Sequence, residues 1–136
     1  MSELRISYDG IQHATALQEP QGKTVAMDAC PATGGKGEEF SPMNLVGSGL
    51  AGCMLFSMGM VALQDKLDIS GVGVDVKALV TDRPVVRIGK IDLTFNLPRN
   101  FSPGDRIKLE EAAGMCPIRS SLHPDIIIST HFNYPE

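Results

Sequence analysis

Hydrophobic and polar residues change period several times along the chain. Leu4, Ile6 and Tyr8 alternate with polar neighbours, which predicts a strand. Asp9-Gly10 is a hairpin turn signal, and a second strand is expected from Ile11 to about Leu17. Glu19-Pro20-Gln21-Gly22 reads as a turn, and Thr24 to Met27 as a short third strand. Residues 30 to 41 read as loop. Ser41-Pro42 then opens a helix, with a capping hydroxyl and proline at the first helical position. Gly71 to Thr81 and Val86 to Leu97 alternate again, the second slipping by one near Gly89 as a bulge would. Ser102-Pro103 opens a second helix, with Ile107, Leu109, Ala112 and Ala113 as its apolar positions. Pro117 interrupts it, and Ile126 to Phe132 is a last strand. Antiparallel sheets with two helices segregated from them make an α+β fold, expected as a single domain over residues 1–136.

The first helix departs from the usual amphipathic pattern. Phe40 to Gln64 carries no charge. Leu45, Val46, Leu50, Met54, Met58 and Val61 cover one face, and Ala51, Leu55 and Ala62 much of another. Such a helix either spans a membrane or lies at the centre of a fold. Four glycines within it, flanking Glu38, Glu39, Asp65 and Lys66 with no basic excess, and amphipathic strands on both sides favour the buried central helix.

Charge and cysteine content narrow the chemistry. Twelve Lys and Arg against sixteen Asp and Glu give a net charge of −4, with no basic cluster to hold nucleic acid. Cys30, Cys53 and Cys116 form no C-x-x-C pair, and His13, His123 and His131 stand apart, so no metal site is expected. Gly34-Gly35-Lys36-Gly37 lacks the spacing of a phosphate-binding loop. No secretory n-region or cleavage site opens the chain, which leads us to expect a cytoplasmic protein with reduced thiols. Pro117 directly after Cys116 places that sulfur at a helix N-terminus, where backbone amides favour thiolate. Buried free cysteines also occur as inert core residues, and residue pattern alone leaves both readings open.

Two segments carry a resemblance. Phe40-Ser-Pro-Met-Asn-Leu-Val-Gly-Ser-Gly-Leu-Ala-Gly-Cys53 is similar to the first-cysteine signature of the OsmC/Ohr superfamily (osmotically inducible and organic hydroperoxide resistance proteins). Cys116-Pro-Ile-Arg-Ser-Ser-Leu-His-Pro-Asp-Ile resembles its second. The element order agrees along the whole chain. The resemblance implies an intertwined homodimer that buries the central helix, which removes the membrane reading. It also implies a peroxiredoxin-like antioxidant activity in stress response, without cofactor. Cys53 would attack an organic hydroperoxide, Cys116 would resolve the product to a disulfide, and an external dithiol would restore both.

The sequence departs from that pattern at two places. Met43 stands where the peroxidase branches carry a carboxylate, and the Tyr8 to His13 hairpin lacks their arginine. An apolar helix with no nearby cation disfavours a thiolate at Cys53. Arg119, three residues after Cys116, is the first candidate accessory group, with His13, Glu38 and Glu39 behind it. Cys30 matches neither motif. The alternative function is a non-peroxidase relative that binds a small apolar ligand or carries thiols on the same scaffold.

Overall fold

The computed structural model describes residues 2–135. The chain falls into two compact units, one up to Leu45 and one from Val46 onward.

The first unit is a three-stranded antiparallel sheet in the order β1 (Glu3–Tyr8), β2 (His13–Glu19), β3 (Lys23–Asp28). The first turn spans residues 9–12. Asp9 Oδ1 accepts from the Ile11 amide at 3.0 Å, and Gly10 takes a φ of 92°, which glycine adopts without strain. The second strand therefore starts at His13, two residues later than the pattern suggested. The loop after β3 folds back so that Asp28 N–H donates to Phe40 O at 3.0 Å. Ser41 Oγ accepts from the Asn44 amide at 3.1 Å, capping α1 (Pro42–Asp65) as expected.

The second unit packs helices on one face of a sheet ordered β4 (Gly73–Thr81), β5 (Arg87–Asn96), β6 (Ile127–Asn133). Ile91, Leu93, Phe95 and Leu97 follow the period of two along and just past the central strand and are buried. Val74, Val76 and Ala78 are the half-buried face of β4. The slip lies where expected: Leu79 pairs with Lys90 and Val80 with Ile88, leaving Gly89 as the extra residue. The sheet is not wholly antiparallel, because β6 pairs parallel with β5. Between them the chain crosses through α2 (Pro103–Gly114) and α3 (Pro117–Ser121), and a helical crossover returns a strand in the same direction. Parallel register sets Phe95 beside Phe132, their rings stacked with centroids 4.7 Å apart.

On α1, Leu50, Met54, Met58 and Ala62 recur every four residues and are buried in this core. Gly47 lets the helix approach β4, since a Cβ there would sit 3.0 Å from Val76 Cγ1. This stripe, with Gly47 and Ala51, is the part of α1 that a single chain buries. Phe56, Met60 and Leu63 are 78%, 68% and 84% exposed, and just 33% of the most apolar stretch is buried. On α2, Leu109, Ala112 and Ala113 are buried, whereas Ile107 is exposed, two residues and so about 200° away from Leu109. Truncating the central strand's largest side chain, Phe95→Ala, is expected to cost about 3–5 kcal/mol. Urea unfolding followed by circular dichroism measures this; a loss under 1 kcal/mol would contradict the packing described.

Candidate functional site

Each cysteine owes its surroundings to a local sequence cause. Cys53 stands on α1 one residue before Met54 and is only half-buried, at the margin between the covered stripe and the open face. Cys116 is fully buried in the core cluster. Pro117 has no N–H to continue α2, so the chain breaks after Met115 and restarts as α3, with Cys116 as its N-cap. Cys116 Sγ accepts from the Arg119 amide at 3.5 Å. Cys53 packs against the core cluster that holds Cys116, and the two thiols are close enough to influence each other. The structure thus brings together two of the residues singled out as catalytic, with Arg119 beside them.

One expectation reverses. The helix N-terminus was expected to favour thiolate at Cys116. Instead burial pushes that thiol up from its ordinary value, and the nearby Cys53 thiol adds to the rise. The amides of Arg119 and Ile118 pull the other way and do not win. Two or three partial charges cannot offset removal of the sulfur from water. Cys116 is therefore held protonated at neutral pH.

Arg119 reaches backward from α3. Its Nη1 lies 3.3 Å from where a Cβ on Gly114 would stand. No carboxylate pairs with it among the described residues.

The other candidate accessory residues, His13, Glu38 and Glu39, belong to the first unit and serve a different group. His13 and Asp28 are cross-strand partners on β2 and β3, and Nδ1 lies 2.6 Å from Asp28 Oδ1. Asp28 Oδ2 accepts from the amides of Glu38 and Glu39, each at 3.1 Å. Glu39 contributes its backbone here. Asp28 is buried and was not singled out from the sequence; an acid closing an otherwise apolar strand end was its only signal. The hydrogen bond to Asp28 holds His13 above the ordinary imidazole value of 6.5, and the same bond, with both amides, holds Asp28 below 3.8. The signs fix the pH window. His13 contributes stability fully below 6.5, and loses it as pH rises through its raised value. Asp28 contributes above 3.8, and loses it as pH falls through its lowered value. The melting temperature of His13→Gln should therefore lie furthest below wild type between those limits, and the gap should close in alkaline buffer. A gap independent of pH would rule the pair out as its source.

Cys30 is exposed on the loop, its Sγ 3.5 Å from Thr33 Oγ1. That hydroxyl, with the Thr33 and Ala32 amides, lowers its pKa. Among the described residues no three His, Cys, Asp or Glu side chains converge as a metal centre would need.

A pair of thiols close together, one buried and one half-exposed on an uncharged helix, defines a dithiol protein on an α+β scaffold. The family model for OsmC-like proteins matches residues 35–131, which holds both thiols, and the chain belongs to that family. Solved structures of the same fold cover nearly all of it. A protein of Psychrobacter arcticus, described in terms of osmotic stress induction and detoxification response, superposes with a TM-score of 0.92 at 26% identity, covering 98% of this chain and 96% of its own. An OsmC-like protein of Mycoplasma pneumoniae gives 0.82 at 17%, covering 100% and 98%. An organic hydroperoxide resistance protein of Legionella pneumophila gives 0.76 at 14%, covering 98% and 96%. No curated protein sequence matches this chain.

Proposed function

We propose that this protein is a thiol-dependent reductase of organic hydroperoxides, with Cys53 as nucleophile and Cys116 as resolving thiol. The observation that carries the reading is a half-exposed Cys53 packed against the core cluster that contains the buried Cys116. Cys53 thiolate attacks the outer peroxide oxygen, the O–O bond breaks, and the leaving alkoxide takes a proton to become the alcohol. The resulting sulfenic acid condenses with the Cys116 thiol; the disulfide forms and water leaves. An external dithiol reduces it by exchange. No cofactor enters this sequence. Relatives named for organic hydroperoxide resistance support the substrate class.

The same reading includes a homodimer in a reducing, cytoplasmic setting. Phe56, Met60 and Leu63 form an open apolar stripe that another copy of α1 would cover. Cys53 lies at the margin of that stripe, so a partner would also dry the thiol's surroundings.

Met43, in place of an acidic residue, favours the second reading, a relative that binds a small apolar ligand or carries thiols without peroxidase turnover. Peptide mapping after one equivalent of an organic hydroperoxide separates the two. The peroxidase reading predicts a Cys53–Cys116 linked peptide within one chain. A dominant link to Cys30, or sulfinic acid at Cys53 with Cys116 still free, contradicts it.

A further inference from the structure

The junction between α2 and α3 has few bonds of its own. Met115 N–H donates to Ala112 O at 3.1 Å, and Pro117 has no N–H to give. A five-residue helix cannot sustain itself. Yet this junction sets where the Cys116 sulfur lies. Arg119 touches it from both ends. Its amide donates to Cys116 Sγ, and its guanidinium folds back over Gly114, the last residue of α2. That helix has no basic residue in its own last turn. A cation placed there interacts favourably with the C-terminal carbonyls. Gly114 leaves the space for it, since any Cβ would press on Nη1.

We propose that the Arg119 side chain is a positioning group for the resolving thiol. It clamps the end of α2 to the start of α3, and so fixes where Cys116 Sγ lies relative to Cys53. This rests on the peroxidase reading for its chemistry. In the step it assists, Cys116 sulfur attacks the sulfur of Cys53 sulfenic acid. The S–S bond forms, the S–O bond breaks, and hydroxide leaves with the thiol proton as water. The guanidinium touches none of the reacting atoms. Its effect comes through geometry, to which such a step is steeply sensitive.

The test separates attack from resolution. Stopped-flow mixing of full-length protein with an organic hydroperoxide gives both rates, and dimedone traps sulfenic acid. In Arg119→Ala the attack rate should stay within about twofold, while resolution slows about tenfold or more and dimedone adducts of Cys53 accumulate. Arg119→Lys, which keeps a cation, should recover much of the rate. Arg119→Gln, which keeps a polar side chain of similar reach but no charge, should slow resolution in the same way and serves if Arg119→Ala fails to fold. A second arm needs no peroxide: equilibration of the Cys53–Cys116 pair with oxidised dithiothreitol reads how well the thiols are placed. Arg119→Ala should weaken that disulfide by a similar factor. If peroxide oxidises no variant but this arm shows the drop, the peroxidase reading fails and the positioning role stands. Resolution and disulfide equilibrium both within about twofold of wild type in Arg119→Ala and Arg119→Gln would overturn the positioning role.

Discussion

Cys53→Ser should abolish peroxide consumption, lowering the rate by roughly a thousandfold or more. A serine hydroxyl at this position is not a nucleophile toward an O–O bond, and the other thiol of the second unit, Cys116, is fully buried and held protonated. The change is small and the site half-buried, so the fold should survive. Cys116→Ser should behave differently. A serine keeps an oxygen to cap α3, so the junction persists. Cys53 should still react once, at a rate near wild type, and then stop as sulfenic acid. Excess peroxide should carry it to sulfinic acid, which mass spectrometry detects. Equal loss of the first turnover in both variants would mean that the roles of the two thiols are not as assigned.

The second large effect concerns the open face of α1. Replacing Phe56 and Leu63 together by Asp should convert a dimer into a monomer at micromolar concentration. Each side chain is largely exposed in a single chain, and full burial of each is worth roughly 1.5–3 kcal/mol. Their sum corresponds to at least two orders of magnitude in Kd, before the cost of placing carboxylates in an apolar interface. Both positions lie off the buried stripe of Leu50, Met54, Met58 and Ala62, so the folded core should be untouched. Sedimentation velocity reads the change. A wild-type protein that sediments as a well-behaved monomer would remove the dimer from the account.

Much of the fold was legible because each period has one physical cause. β4 and β5 alternate since one face is buried, and the slip at Gly89 marks the bulge directly. Ser41-Pro42 and Ser102-Pro103 mark helix starts because capping and a fixed φ act locally. What could not be read depends on partners far along the chain. A strand's period does not encode its direction, so parallel β6 was hidden. An uncharged helix has no polar face to orient it, so which side of α1 faces the sheet was undetermined. The His13–Asp28 pair exists through strand register, across fifteen positions. The two thiol positions were visible as motifs, but the sign of the Cys116 shift was not. The N-cap is a local feature and was foreseen; the burial that outweighs it comes from packing against the core.

The central claim is that Cys53 and Cys116 form one peroxide-reducing pair. The most direct measurement is stopped-flow loss of free thiol in the reduced protein on mixing with an organic hydroperoxide, with hydrogen peroxide as comparison. The account predicts loss of two thiols per chain in two resolved phases, faster with the organic hydroperoxide, and no loss at Cys30. Both thiols remaining free while the protein stays folded, or thiol loss confined to Cys30, would contradict it.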